Sequence, residues 1–131
     1  MAVVGGQIDS LSATDRCEIY DMQLDSWAPI AKLPKPLLSS SILAIQQKYD
    51  YRIGERVHQA SRSVLFAFGG VYKEVNQLDF CYDIYRIVLG DLQPPGSVPL
   101  KNKIWMTLNV QLPSRMCHFG AIQRTNAMNY T

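Results

Sequence analysis

The side chains that could carry out chemistry in this 131-residue chain are few and scattered. Three cysteines and two histidines are the candidate metal ligands or nucleophiles: Cys17, Cys81, Cys117, His58 and His118. Their spacing matches no zinc pattern, and neighbouring residues such as Cys117 and His118 point to opposite faces of a strand. The same geometry argues against a Cys–His nucleophile pair. We therefore expect no metal and no cofactor, and cysteines that pack as small apolar side chains.

Two carboxylates, Asp79 and Asp83, are four residues apart and would share a face if their segment were a single strand. Such a pair could perform acid–base catalysis. However, Asp83 belongs to a Tyr-Asp dipeptide, Tyr82-Asp83, that also occurs at Tyr20-Asp21, which favours a role in a turn or between strands. No Gly-Lys-Ser/Thr element is present to bind phosphate. The sequence therefore predicts a protein that is not an enzyme.

Short apolar and aromatic runs, separated by Gly, Pro, Asp and Ser, predict an all-β chain. The predicted strands are residues 2–4, 17–22, 27–31, 40–46, 64–68, 79–89, 104–110 and 117–123. The polar segment 47–62 and the proline-rich segment 91–101 are predicted to be loop insertions between strands.

Composition narrows the class of protein. The chain is 47% hydrophobic and 18% charged, and its formal net charge is +2. Its basic residues do not cluster, so we expect no nucleic-acid partner. No run approaches the ~20 apolar residues of a membrane span, so we expect no association with a membrane. An odd number of cysteines and no signal peptide favour a reducing, cytoplasmic location. The sequon at Asn129 lies in the last three residues, and we do not expect it to be glycosylated.

An ordered set of residues occurs twice along the chain. The first copy is Gly5-Gly6, Tyr20-Asp21, Trp27 and Leu33-Pro34, and the second is Gly69-Gly70, Tyr82-Asp83, Trp105 and Leu112-Pro113. A Gly-Gly pair allows positive φ directly after a strand, and Tyr and Trp supply large apolar surfaces. Leu-Pro ends a strand, because proline donates no ladder hydrogen bond. This recurrence predicts a repeat architecture.

The ordered set resembles the kelch repeat, which forms one four-stranded blade of a β-propeller. The resemblance implies a partial kelch-type β-propeller of about two antiparallel blades, which do not close a ring. Residues 1–38 would be the last three strands of a first blade, 39–113 a complete second blade, and 114–131 the first strand of a third. The chain departs from the family at Pro36 and Ser40, where an arginine commonly precedes the first strand. It would be a fragment, or would complete its fold with blades from the same gene product or another chain.

The resemblance also implies a function. Kelch-type propellers mostly bind proteins, as substrate receptors or cytoskeletal scaffolds, through the loops after Gly-Gly and the residue ahead of a blade's first strand. The corresponding residues of this chain are Gln7, Asp9, Tyr72, Lys73 and Arg115. One alternative is a fragment of an oxidase-like or epimerase-like propeller whose catalytic residues lie on other blades. Another is a truncated product without a function of its own.

Overall fold

The computed structural model describes residues 1–8, 12–74, 77–91 and 104–116. These residues form nine strands and no helix, which confirms the predicted all-β class. The strands are β1 (Ala2–Val4), β2 (Cys17–Asp21), β3 (Ser26–Ile30), β4 (Ser41–Ile53), β5 (Arg56–Phe68), β6 (Val71–Glu74), β7 (Gln77–Phe80), β8 (Asp83–Asp91) and β9 (Met106–Gln111). Within the described ranges there is accordingly no helix of a length and apolarity that could cross a membrane.

The strands form three antiparallel sheets. The first sheet has the order β1-β2-β3, and the second sheet has the order β4-β5-β8-β9. Strands β6 and β7 form a separate two-stranded sheet, the β6–β7 hairpin, within the connection from β5 to β8. One of the sheets curls into a half-barrel. The chain leaves the second sheet at the Gly69-Gly70 pair, forms the β6–β7 hairpin, and returns to the second sheet at Asp83.

The first sheet repeats the register of β5, β8 and β9. The β1–β2 pairs are Ala2–Ile19, Val3–Glu18 and Val4–Cys17, and the matching β5–β8 pairs are Phe66–Arg86, Ala67–Tyr85 and Phe68–Ile84. The third strands continue this match, because Ile19 pairs with Ala28 and Arg86 pairs with Met106. The residue before each of these partners is a tryptophan, so Trp27 and Trp105 occupy equivalent positions.

Hydrogen bonds outside the ladders recur in the same way. The amide of Gly6 donates to the Leu37 carbonyl at 2.8 Å, and that of Gly70 donates to the Met116 carbonyl at 2.9 Å. The amide of Leu33 donates to Asp15, and that of Leu112 donates to Tyr82, both at 2.8 Å. All four glycines of the two Gly-Gly pairs have positive φ, between 60° and 104°. The sequence repeat therefore corresponds to a repeat of backbone structure.

The two Tyr-Asp dipeptides are not equivalent, although the sequence suggested it. Tyr20-Asp21 ends β2, whereas Tyr82 precedes β8 and Asp83 begins it. In the shared register the counterpart of Tyr20 is Ile87. Matching by residue type failed here because the β6–β7 hairpin lengthens the connection from Gly-Gly to the next strand, so an unrelated Tyr-Asp at the start of β8 falls at a similar distance from Gly-Gly.

The segment 47–62 was wrongly predicted to be a loop, because it forms the outer part of a long hairpin made by β4 and β5. The pairing runs without interruption from Ser41–Phe68 to Ile53–Arg56. Gly54 closes the hairpin with a φ of +61°, the sign that a two-residue hairpin turn requires at its first position. Strand β8 accompanies β5 only as far as Arg62, so the outer hairpin is a two-stranded ribbon. One of its sides is half-buried, because the Tyr51 and His58 rings stack there with their centres 5.3 Å apart.

The segment 79–89 was predicted to be one strand, and it is interrupted at Cys81 and Tyr82. Asp79 therefore lies in β7 and Asp83 in β8, which belong to different sheets. The premise that these two carboxylates share a strand face is wrong. The predicted loop beyond residue 91 and the predicted strand 117–123 lie outside the described residues.

A single core cluster joins the first and second sheets. Its buried members are Cys17, Leu33, Leu37, Leu65, Ala67, Cys81, Tyr85, Ile87 and Trp105. The indole Nε1 of Trp105 donates to the Ala31 carbonyl at 2.9 Å, so a side chain of the second sheet is anchored to the end of the first. Cys17 and Cys81 are buried free thiols, as expected for small apolar side chains, and burial raises the pKa of Cys17.

Candidate functional site

The β6–β7 hairpin is fixed at its base by backbone hydrogen bonds to two other segments. Val71 and Leu38 exchange two bonds of 2.8 Å, and Gly70 donates to Met116. Gly70 has a φ of +93°, and a Cβ at this position would lie 2.6 Å from the Leu38 carbonyl oxygen. Only glycine fits this close approach without displacing its neighbours. The hairpin is therefore held in a defined orientation at the end of the second sheet.

One side of the hairpin combines positive charge with apolar surface. Residues paired across two antiparallel strands lie on the same side of the sheet, as do residues two apart along a strand. The pairs Val71–Phe80 and Lys73–Leu78 therefore share one side. The guanidinium carbon of Arg115 lies 5.3 Å from the centre of the Phe80 ring, so Arg115 joins this group. We call Lys73, Leu78, Phe80 and Arg115 the cationic face.

The cationic face is accessible to a partner. Lys73 and Arg115 are exposed, Phe80 is half-buried, and the apolar side chain of Leu78 is 68% exposed. A cation over an aromatic ring is attracted by the ring quadrupole, typically by about 0.5–1 kcal/mol at an exposed site. This attraction restricts Arg115 before any partner arrives, which lowers the entropy cost of binding.

The opposite side of the hairpin has a different charge balance. Tyr72 pairs with Asp79, and its hydroxyl donates to Asp79 Oδ2 at 3.2 Å. The ammonium group of Lys35 lies 4.4 Å from the centre of the Tyr72 ring. A lysine and an aspartate thus both contact the Tyr72 side chain. We call Lys35, Tyr72 and Asp79 the Tyr72 face.

The structure places the five residues predicted to bind a partner at different locations. Lys73 and Arg115 lie together on the cationic face, whereas Tyr72 lies on the other side of the hairpin. Gln7 pairs with Ala13, as Val71 does with Phe80, so it occupies the corresponding turn of the first repeat. Asp9 lies outside the described residues.

Three residues of these two faces were not found from the sequence: Lys35, Leu78 and Phe80. One signal was available for Lys35, since a basic residue follows Leu-Pro closely in both copies, at Lys35 and at Arg115. Leu78 and Phe80 could not be placed, because residues 71–78 were assigned to no strand and residues 79–89 were interpreted as a single strand, so the hairpin was not predicted.

The remaining polar motif residues have structural partners. Asp21 Oδ1 accepts hydrogen bonds from the amides of Gln23 and Leu24 at 2.8 and 3.2 Å, and so caps the turn between β2 and β3. The rings of Tyr20 and Trp27 are 5.3 Å apart, and the Tyr20 hydroxyl donates to Asp25. Asp83 Oδ1 accepts from Gln111 Nε2 at 3.0 Å, which links β8 to β9. Each of these contacts holds a turn or a strand pair.

The described ranges contain no set of three or more His, Cys, Asp or Glu side chains that could hold a metal. A cleft of about 330 Å³ lies between the first and second sheets, with Ala2 and Ile19 on one side and Ile45, Val64 and Leu89 on the other. The lining also includes Met1, Gln46 and Ser63.

No protein-family model and no curated protein matches the chain. The cationic face contains an arginine and a phenylalanine, two residue types that are enriched in protein–protein interfaces.

Proposed function

We propose that the chain is a non-catalytic protein-interaction module of kelch-repeat type. In this proposal the cationic face of the β6–β7 hairpin binds a partner protein. The observation that carries the proposal is the position of Arg115 over Phe80, beside exposed Lys73 and Leu78. Arginine is enriched among the residues that dominate binding energies, and phenylalanine is enriched in protein–protein interfaces.

The backbone repeat supports the kelch-type part of the proposal. A four-stranded antiparallel sheet with strands in consecutive order, apart from the inserted hairpin, is the arrangement of a propeller blade. The first sheet supplies three strands in the same register, with a Gly-Gly pair after the same strand. The buried free thiols Cys17 and Cys81 suit the reducing conditions of a cytoplasmic location.

The chemistry of the cationic face defines the partner. Two basic groups lie beside an exposed leucine and a half-buried phenylalanine, so the complementary segment carries carboxylates next to an apolar side chain. The charged groups give specificity and speed of association, while burial of Leu78 supplies apolar contact. The four side chains cover a small area, so a short peptide is expected to bind weakly and with a strong dependence on salt.

A displayed library of short peptides tests the proposal. We expect selection against the immobilised chain to enrich peptides that combine Asp or Glu with an aliphatic or aromatic residue. Fluorescence anisotropy with a labelled selected peptide then measures the dissociation constant at several salt concentrations. Arg115→Glu is expected to weaken binding at least tenfold, and Leu78→Ser to weaken it several-fold.

Arg52→Glu is the matched control, because Arg52 is also exposed but lies in the outer part of the β4–β5 hairpin. It makes the same change in net charge, and so separates a local contact from a general electrostatic effect. The cationic face would not be the binding site if Arg52→Glu weakened binding as much as Arg115→Glu, or if neither variant weakened binding.

A further inference from the structure

The two equivalent tryptophans differ sharply in burial. Trp105 is 6% exposed and belongs to the core cluster, whereas Trp27 is 45% exposed. The register match places both at the same point of the repeat. Trp27 directly precedes the β3 residue that pairs with Ile19, and Trp105 directly precedes the β9 residue that pairs with Arg86. Trp105 is buried because it reaches from the second sheet to the first. Trp27 lies in the first sheet and has no preceding sheet among the described residues to reach.

The residues that receive Trp105 also have counterparts. Trp105 donates to the carbonyl of Ala31, two residues before Leu33, and packs in a cluster with Leu33 and Leu37, which are 3% and 1% exposed. Leu112 and Met116 are the equivalents of Leu33 and Leu37, because they make the same backbone hydrogen bonds in the second repeat. Both of these equivalents are only half-buried. Val110, two residues before Leu112, is 63% exposed.

The chain therefore presents a tryptophan on its first sheet and a counterpart of the tryptophan-receiving surface on its second sheet. We propose that these two surfaces bind each other between copies of the chain. Trp27 of one copy then packs at Val110, Leu112 and Met116 of the next copy, as Trp105 packs against the first sheet within one chain. The occupant of the Trp27 surface is thus a second copy of this chain.

The proposed contact is head-to-tail, because its two surfaces are different parts of the molecule. Such an interface leaves one free surface of each kind on a dimer, so further copies can add. We expect the aromatic and aliphatic side chains involved to bury less than the roughly 800 Å² per partner of a typical stable interface. The association should therefore be weak, and the oligomer should form only as the protein concentration rises. The proposal is independent of the partner-binding proposal, since the cationic face is not part of it.

Sedimentation velocity over a range of concentrations tests this proposal with three single variants. We expect the wild-type weight-average mass to rise with concentration above that of the monomer. Trp27→Lys removes the inserting side chain and Val110→Lys blocks the receiving surface, so each variant is expected to remain monomeric. Val57→Lys is the matched control for Val110→Lys, because Val57 is 55% exposed in the outer β4–β5 hairpin. It should associate like the wild type.

Mixing the two monomeric variants identifies the geometry of the contact. Trp27→Lys retains the receiving surface and Val110→Lys retains the tryptophan, so their mixture is expected to form dimers and nothing larger. Far-UV circular dichroism and urea titration establish that each variant remains folded. A wild type that is monomeric at every concentration would overturn the proposal. So would association that survives Trp27→Lys, or a mixture of the two variants that stays monomeric.

Discussion

The unequal burial of the two tryptophans predicts unequal effects on stability from the same substitution. Trp105→Phe removes the indole N–H that donates to the Ala31 carbonyl at 2.9 Å, and leaves unfilled volume in the core. The lost hydrogen bond contributes about 1 kcal/mol and the unfilled volume about another 1 kcal/mol. Trp105→Phe should therefore lower the free energy of unfolding by about 2 kcal/mol. Trp27→Phe, at the equivalent but exposed position, should lower it by less than about 0.5 kcal/mol.

Urea denaturation followed by far-UV circular dichroism measures both effects with a probe that does not depend on tryptophan. At an m-value of about 2 kcal/mol per molar urea, the Trp105→Phe midpoint should fall by about 1 M and the Trp27→Phe midpoint by less than about 0.25 M. Low protein concentration keeps self-association from contributing. Fluorescence of the single remaining tryptophan gives an independent check: Trp105 should emit at a shorter wavelength than Trp27. Equal midpoint shifts, or a larger one for Trp27→Phe, would refute the assignment of Trp105 as the link between the sheets.

Three further predictions concern the backbone, a buried hydroxyl and a turn. In urea denaturation, Gly70→Ala should lower the free energy of unfolding by at least about 2 kcal/mol more than Gly6→Ala does. Both glycines have positive φ, but only a Cβ at Gly70 would lie 2.6 Å from a backbone and a side-chain oxygen. Burial, followed by its contact with Cys81, raises the pKa of Tyr85 above its ordinary value near 10, so the folded state holds this proton more tightly than the unfolded state. The stability from this shift is complete below pH 10 and declines as the pH rises further, and Tyr85→Phe should reduce the alkaline slope of the unfolding free energy. Asp21→Ala should lower the free energy of unfolding by about 1 kcal/mol, because it removes the hydrogen bonds from the Gln23 and Leu24 amides. Asp50→Ala, in the outer hairpin, should lower it by less than about 0.5 kcal/mol. Thermal denaturation of the two variants compares these effects.

The features that the sequence predicted correctly are those fixed by local chemistry. The Gly-Gly pairs adopt positive φ because glycine has no Cβ to disfavour that conformation. Trp27 and Trp105 mark equivalent strands because the spacing from Trp to Leu-Pro is nearly the same in both copies. The β-branched and aromatic runs identified most of the strands. These signals depend on a few neighbouring residues, so they can be recognised without knowing what the chain packs against.

The features that the sequence did not reveal depend on contacts distant in the chain. The outer β4–β5 hairpin extends beyond the end of strand β8, and nothing in the segment 47–62 shows that its two halves pair with each other there. The Tyr72 and cationic faces separate because β6 and β7 pair with each other, which places Tyr72 and Lys73 on opposite sides. The burial of Trp105 and the exposure of Trp27 could not be distinguished by residue type, since the difference lies in the neighbouring sheet.

Cross-strand contacts between backbone protons, measured by NMR, test most directly the claim that the first sheet repeats the register of β5, β8 and β9. We expect contacts of Val3 with Glu18 and of Ala67 with Tyr85, and also of Ile19 with Ala28 and of Arg86 with Met106. A shift of one residue in either sheet would reverse the faces of that sheet's side chains and remove the equivalence of the two tryptophans. That result would contradict the account and, with it, the proposed contact between copies of the chain.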